Sequence, residues 1–288
     1  MENINNIIYQ ARFCLKSNWI QAVNILENAL KTNPEAEEIY LELADIYFTK
    51  SAFKKTLEYY QKALKVNPNN SFSRFKIGNI YLELDEPKLA IYHYDKITED
   101  YPEALYNKAI AYRGMQKHDE AIKTLKELIN HPVKMINAYR YLVEILVMFG
   151  KTKEAFRYIN DAAAVFGDVC LIHYLKGVVF FREKNFLSSY YEYTLAARDD
   201  TEYPHIHRVL SRLAIAIGMV PNAYKHLKDA IRLHKNDRSA VSELVELLLT
   251  NQIVSNKDEL IEYFKDFDDN ITDTAISFYD RLIKKGVK

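Results

Sequence analysis

The chain has 288 residues, 49% of them hydrophobic and 27% charged, which is typical of a folded, soluble protein and excludes a disordered, collagenous or coiled-coil chain. Basic and acidic side chains number 39 each, so the chain lacks the positive excess with which non-specific nucleic-acid binders neutralise phosphates. Glycine and proline number only seven each, which predicts few turns of special geometry and argues against β-sandwiches and doubly wound sheets.

The first predicted element is an unusually apolar helix from Ile4 to Leu15. The residues before it include the acidic Glu2 and no basic cluster, so the opening segment is not expected to be a signal peptide. No stretch of the chain reaches the ~18 uninterrupted apolar residues that a membrane span requires. Cys14 and Cys170 are too few and too far apart for a disulfide framework or a zinc site. We therefore expect a cytoplasmic protein that does not insert into a membrane.

A 34-residue spacing recurs along the chain. Three prolines keep it, at Pro34, Pro68 and Pro102. Seven small residues keep it too, with one step of 31 residues after the third: Ala22, Thr56, Ala90, Ala121, Ala155, Ser189 and Ala223. Each is followed four places later by a larger residue: Leu26, Tyr60, Tyr94, Leu125, Ile159, Tyr193 and Leu227. This pattern predicts pairs of short amphipathic helices that cross closely at the small residues and bury a continuous core by stacking.

The pattern resembles the tetratricopeptide repeat family, whose first-helix motif is matched by Tyr40, Leu43, Ala44 and Tyr47. The resemblance implies an all-α fold, a right-handed α–α superhelix of about sixteen or seventeen helices with C-terminal capping helices. It places seven repeats in residues 3–236, at about 3–36, 37–70, 71–101, 102–135, 136–169, 170–203 and 204–236. Residues 237–288 are expected to form a degenerate repeat and the capping helices.

Three helices are predicted in this last segment. The first is Val241–Leu249, and the third runs from Thr272 to Lys285 and stops at Gly286. The second is Leu260–Phe267, for which Ser255 and Asp258 are expected to form a capping box.

Sequence motifs that carry chemistry are missing. The chain has no glycine-rich phosphate loop, no HExxH, no CxxC pair and no GxSxG sequence. His205 and His207 are two residues apart, so on a helix they point in different directions and are not expected to share a metal ion. We therefore predict a non-enzymatic protein with no catalytic residues, no cofactor and no bound metal.

The resemblance further implies that the first helix of every repeat lines a concave groove. The residues predicted to bind a peptide there are Phe75, Asn79, Tyr106, Asn107, Arg113, Arg140, Tyr141, Tyr174, Arg182, Arg208 and Arg212. Asn79 and Asn107 match the two asparagines of the carboxylate clamp in chaperone-binding repeats. Phe75 replaces the first lysine of that clamp, and Asn137 and Tyr141 replace its final basic pair, so the clamp is incomplete.

Charge along the predicted groove is unevenly distributed. Acidic residues gather toward its N-terminal end, at Glu38, Glu42 and Asp45. Arginines gather toward its C-terminal end, with few compensating acids expected beside Arg140, Arg182, Arg208 and Arg212. Because a guanidinium group can bind a carboxylate through two hydrogen bonds, this end is predicted to favour an acidic ligand.

The leading hypothesis for function is a protein-interaction scaffold that binds a peptide or helical segment of a partner in the groove, without binding nucleic acid. One alternative is a structural module that associates with itself into homo-oligomers. Another is an accessory subunit or peptide receptor within a larger complex.

Overall fold

The computed structural model describes residues 3–198, 205–235 and 237–286, and every regular element in these ranges is a helix. Seventeen α-helices are described, which confirms the predicted all-α repeat fold. The predicted border between the sixth and seventh repeats, at 203/204, lies outside the described residues, as does residue 236. No helix in the described ranges is both long enough and apolar enough to cross a membrane.

Contacts between residues divide the chain into two compact units, which separate between Ala138 and Tyr139. The helices of unit 1 are α1 (Ile4–Leu15), α2 (Trp19–Thr32), α3 (Glu37–Thr49), α4 (Phe53–Val66), α5 (Ser71–Glu83), α6 (Pro87–Tyr94), α7 (Pro102–Gly114) and α8 (His118–Asn130). They pack in consecutive pairs, α1 with α2 through to α7 with α8, and each pair contacts the next.

Helix α9 (Ile136–Met148) contains the division between the units. The further helices of unit 2 are α10 (Thr152–Phe166), α11 (Cys170–Arg182), α12 (Phe186–Ala196), α13 (Ile206–Ala216), α14 (Val220–Leu233), α15 (Arg238–Thr250), α16 (Lys257–Phe264) and α17 (Asp269–Lys284). Here α11 pairs with α12 and α13 with α14, while α15 and α16 both pack against α17.

The small residues of the 34-residue pattern are completely buried. Each of the seven has 0% of its surface exposed: Ala22, Thr56, Ala90, Ala121, Ala155, Ser189 and Ala223. Ser189 on α12 donates a 2.9 Å hydrogen bond to the Gly177 carbonyl on α11, which shows how closely the two helices approach. Small side chains are needed at these positions because a larger one would separate the paired helices.

The turns inside the helix pairs differ from the prediction drawn from the glycine count. A residue with positive φ lies five places before the small residue in six successive repeats: Ser51, Asp85, Gln116, Gly150, Lys184 and Gly218. At the first of them the helix ends in a Schellman motif, in which the Ala52 N–H donates to the Tyr47 carbonyl at 3.0 Å. The expectation of few special turns was therefore wrong, because four of these six positions adopt the left-handed conformation without glycine.

The C-terminal helices share an apolar core with α14. Leu244 and Leu248 of α15 and Phe264 of α16 are completely buried in it. The predicted capping box is shifted by one residue, since Asn256 rather than Ser255 accepts from the Glu259 N–H at 2.9 Å. Glu259, not Asp258, is the acidic residue involved, and its carboxylate accepts from the N–H of Ser255, one residue before the N-cap, at 2.6 Å.

Candidate functional site

The predicted groove residues of unit 1 lie on α5 and α7. Phe72, Phe75 and Asn79 share one face of α5, because residues three and four places apart lie above one another on a helix. On α7, Tyr106 and Asn107 are both half-buried. These five residues define what we call the unit 1 face. Arg113, in the last turn of α7, is exposed.

A hydrogen-bond network joins the two helices at this face. Asn107 Nδ2 donates to Asn79 Oδ1 at 2.8 Å, and Tyr94 Oη donates to the same oxygen at 2.7 Å. Tyr94 is buried on α6, and burial raises the pKa of its hydroxyl, so the group remains a donor at neutral pH. The structure therefore brings together the two asparagines predicted from sequence and adds a tyrosine donor that the sequence analysis missed.

Phe75 packs partly against its own unit. Its ring centroid lies 4.8 Å from that of Tyr101 and 6.3 Å from that of Tyr94. Phe72, one turn earlier, is 37% exposed, and Lys76 Nζ lies 5.1 Å from its ring centroid. Of the two phenylalanine rings of the unit 1 face, Phe75 thus packs against neighbouring rings and Phe72 is accessible to solvent.

Two acids at the N-terminal end of the predicted groove, Glu42 and Asp45, are already paired with groups of unit 1. Glu42 is only 8% exposed, and its carboxylate accepts from Arg12 Nε at 2.8 Å and Nη2 at 2.7 Å. This hydrogen bond to Glu42 is the main cause that raises the pKa of Arg12. Asp45 accepts a short hydrogen bond from Tyr60 Oη. The sequence analysis missed both partners.

In unit 2, two predicted residues, Arg140 on α9 and Tyr174 on α11, lie near Glu144 of α9. Arg140 Nη1 lies 3.3 Å from Glu144 Oε1 on the same helix. Burial raises the pKa of Tyr174, the charge of Glu144 raises it further, and the charge of Arg140 lowers it. Tyr141 is only 9% exposed and offers little surface to a ligand, whereas Arg182 at the end of α11 is exposed.

Arg208 and Arg212 on α13 share one carboxylate, Glu243 of α15. Arg208 Nη2 and Arg212 Nη2 each lie 2.7 Å from Glu243 Oε1. Arg208 Nη1 also lies 3.7 Å from Asp237 Oδ1, the residue that caps α15. The expectation that these arginines have few compensating acids was wrong. Glu243 lies 35 residues after Arg208 and 31 after Arg212, and nothing in the sequence pattern indicated that it pairs with them.

The histidines of α13 have different partners. His205 Nδ1 lies 4.0 Å from Asp237 Oδ2, whereas His207 Nδ1 lies 3.3 Å from His226 Nδ1 on α14. His226 and His207 together with Asp229 place one potential metal-ligand atom each within 4.8 Å of one another. The His207–His226 contact repeats one that lies 34 residues earlier in the sequence. There His173 Nδ1 lies 2.7 Å from Glu192 Oε2, and these two residues are also 19 apart. The repeat spacing was therefore a signal from which the contact could have been predicted.

Models of known families match parts of the sequence. Three tetratricopeptide repeat models match residues 37–70, 59–92 and 103–131. A model of anaphase-promoting complex subunit 5 matches residues 169–257. A search of curated proteins gives no significant match.

Solved structures with the same fold are distant in sequence. A tetratricopeptide repeat protein from Parabacteroides merdae has a TM-score of 0.61 and 17% identity, covering 84% of this chain and 97% of that one. PilF from Pseudomonas aeruginosa has a TM-score of 0.56 and 17% identity, covering 71% of this chain and 94% of that one. A chain of the APC/C hetero-tetramer Cut9–Hcn1 has a TM-score of 0.55 and 16% identity, covering 96% of this chain and 55% of that one. The helix pairs, their buried small residues and the three repeat models together show that this chain belongs to the tetratricopeptide repeat family and contains multiple repeats.

Proposed function

We propose that the chain is a non-enzymatic scaffold whose unit 1 face binds an extended peptide segment of a protein partner. The tetratricopeptide repeat fold supports the broader class, since such repeats typically form interaction scaffolds or subunits of complexes. Because such repeats typically act as scaffolds, the proposal includes no catalytic step. It also includes a cytoplasmic location, which the small number of cysteines, Cys14 and Cys170 alone in the sequence, supports because disulfides are rare there.

The observation that carries this proposal is the bond between Asn107 and Asn79. It uses the Asn79 carbonyl oxygen and one amide hydrogen of Asn107. The Asn79 amide and the Asn107 carbonyl oxygen do not take part in that bond, and they supply one donor and one acceptor. A peptide group presents the complementary acceptor and donor. Tyr94 holds Asn79 in place and Asn79 holds Asn107, so binding costs little side-chain entropy.

Aromatic rings next to these amides supply apolar contact. Phe72 is accessible at the surface, and Phe75 is braced by Tyr101. A braced ring loses little freedom on binding, and aromatic side chains contribute strongly to binding energy at protein interfaces. Paired amides beside aromatic rings favour a peptide with apolar side chains.

The proposal is tested by selecting peptides from a displayed random library against the whole chain. The affinity of a selected peptide is then measured by fluorescence anisotropy for the wild type and for Asn107→Ala, Asn79→Ala and Phe72→Ala. We expect each substitution to weaken binding by about 5–30-fold, because one hydrogen bond or aromatic contact contributes about 1–2 kcal/mol.

The matched control is Tyr92→Ala, which removes a 55% exposed aromatic residue from α6 instead of α5. Its affinity for the peptide should equal that of the wild type. Peptides that bind all three unit 1 variants as tightly as the wild type would place the binding surface elsewhere and refute the proposal.

The arginines of α13 give little support to the prediction of an acidic partner. Glu243 already pairs with both Arg208 and Arg212, and Asp237 lies beside Arg208, so an added carboxylate would have to compete with these acids. Arg182 on α11 is exposed and remains the best candidate in unit 2 for contact with an acidic group. The distribution of charge in this unit therefore favours a mixed or neutral ligand.

Self-association is a second candidate function. Tyr9 and Phe13 lie four residues apart on one face of α1, and each is 69% exposed. Two large exposed rings on one helix face are typical of a contact surface. Light scattering over a range of concentrations tests this, and we expect a Phe13→Ser variant to shift any oligomer toward monomer. A monomer at every concentration would exclude this candidate.

A role as a subunit of a multiprotein complex is supported by residues 169–257, which match the model of anaphase-promoting complex subunit 5. This candidate is compatible with peptide binding by unit 1, because the matched residues all lie in unit 2.

A further inference from the structure

Helices α13 and α14 bring three metal-ligating side chains to one place. His207 Nδ1 and His226 Nδ1 are 3.3 Å apart, and a carboxylate oxygen of Asp229 lies within 4.8 Å of both. His226 and Asp229 are three residues apart, so they lie on the same face of α14. His207 is 9% exposed, and the other two are half-buried.

We propose that His207, His226 and Asp229 bind a divalent transition-metal ion, and that zinc is the ion they fit best. Two imidazole nitrogens and one carboxylate form a ligand set that zinc commonly takes, whereas magnesium and calcium prefer oxygen ligands alone. Three protein ligands leave one position of a tetrahedral ion open to water or to a side chain of a partner.

The distance between the two imidazoles supports this proposal. Zinc–nitrogen bonds of about 2.0–2.1 Å in a tetrahedral arrangement place two nitrogen ligands about 3.3–3.4 Å apart. The observed separation of 3.3 Å agrees with that value. For full coordination the Asp229 oxygen has to approach by about 1–1.5 Å, which a side-chain rotation can supply.

A further contact orients one of the ligands. Tyr190 Oη of α12 lies 3.0 Å from His226 Nε2, and Asn222 Nδ2 donates to the same hydroxyl at 3.0 Å. When Nε2–H donates to this oxygen, Nδ1 carries the lone pair that binds a metal. Metal-bound histidines usually have such a partner on the other ring nitrogen, which fixes the tautomer and the ring orientation.

Isothermal titration calorimetry of the metal-free chain with zinc chloride at pH 7 tests the proposal. We expect one zinc ion per chain in a saturable step. His207→Gln combined with His226→Gln should abolish that step, and Asp229→Asn should weaken binding by about 10–100-fold. Tyr190→Phe should weaken it less, because Tyr190 only positions a ligand.

His205→Gln is the matched control, because His205 lies two residues from His207 on the same turn and its side chain is 75% exposed. Binding unchanged by this control supports the proposed site. Binding that survives the double histidine variant, or that disappears with His205→Gln, would overturn it and indicate adventitious zinc at surface histidines. Absence of a saturable step in the wild type would overturn it as well.

A second measurement uses the wild-type protein, so its result does not depend on whether the variants fold. Long-range nitrogen–proton NMR spectra of the wild-type histidine rings distinguish Nδ1 from Nε2 coordination. We expect zinc to shift the Nδ1 signals of two histidines, and shifts confined to Nε2 signals would contradict the geometry.

Discussion

The ring of Tyr94 on α6 lies directly against the backbone of Gly78 on α5. A Cβ atom added at Gly78 would lie 2.8 Å from Tyr94 Cζ and 2.9 Å from Cδ1, closer than non-bonded atoms approach. Glycine is therefore required here for close approach and not for an unusual backbone conformation. The same contact recurs in unit 2, where a Cβ at Gly177 would lie 3.0 Å from Tyr193 Cδ1.

Gly78→Ala should destabilise the protein although alanine is the better helix former. The added methyl group has to displace the Tyr94 ring, which also donates the hydrogen bond to Asn79. We expect the free energy of unfolding to fall by about 1–3 kcal/mol, the usual effect of overpacking a buried contact. Urea denaturation followed by circular dichroism measures this change.

The other helical glycines provide the comparison for Gly78. Gly177→Ala should cost less, since its tyrosine contact is looser. Gly114→Ala should be neutral or stabilising by up to about 1 kcal/mol, because nothing lies within 4 Å of its added Cβ and alanine favours the helix. Equal effects of the three substitutions would show that Tyr94 moves freely and that the contact is unimportant.

Ala155 on α10 tests the register of the repeat in unit 2. It is completely buried, so Ala155→Leu should lower the free energy of unfolding by about 1–3 kcal/mol through overpacking. Ala164→Leu on the same helix is the control, because Ala164 is exposed and leucine is nearly as good a helix former. Thermal denaturation followed by circular dichroism compares the two, and equal melting temperatures would mean that Ala155 does not lie at a tight helix crossing.

The sequence predicted the features that depend on periodicity. Ala155 could be placed at a helix crossing because a stacked repeat requires a small side chain at the same position each time. The family resemblance placed Asn79 and Asn107 in the groove, but it did not predict the hydrogen bond between them. The periodicity did not predict which acid pairs with Arg212, because that depends on the rotamers of long side chains on α13 and α15.

Turn geometry and the histidine pair show two different limits of the sequence analysis. Lys184 adopts a positive φ although lysine has no preference for it, because the two flanking helices determine the turn. No residue preference could have revealed this. The His207–His226 contact, by contrast, was accessible from sequence, since it repeats the contact of His173 with Glu192, which lie 34 residues earlier and are also 19 residues apart.

Glu243→Gln should remove the carboxylate charge that pairs with Arg208 and Arg212 of α13. Because Arg212 is largely exposed and Glu243 partly so, we expect a loss of only about 0.5–1 kcal/mol in the free energy of unfolding. At low salt the variant should bind a polyglutamate peptide more tightly than the wild type, and added salt should reduce the difference. Arg212→Ala combined with Glu243→Gln is the control and should show a smaller gain. Equal polyglutamate affinity for the wild type and Glu243→Gln would show that Glu243 does not mask these arginines.

His93 on α6 should make the stability of the protein depend on pH. Burial, and then the charges of Arg74 and Lys96, lower its pKa to about 4 in the folded state, below the ordinary value of 6.5. The unfolded chain therefore binds the proton more tightly, so the stabilisation is complete above pH 6.5 and is lost as the pH falls toward 4. The loss is at most about 3 kcal/mol, at 1.36 kcal/mol per pKa unit.

His93→Phe removes the titrating group and keeps an aromatic ring next to Tyr81, whose centroid lies 5.6 Å from that of His93. His93 Nδ1 is buried without a hydrogen-bond partner among the described residues, so phenylalanine sacrifices no bond at that atom. We expect the variant to match the wild type or exceed it in stability at pH 7, and to lose less stability between pH 6.5 and 4. Urea denaturation at several pH values measures both quantities, with His205→Gln as the exposed control that should follow the wild-type curve. Parallel curves for His93→Phe and the wild type would mean that His93 is protonated as easily in the folded chain as in the unfolded one.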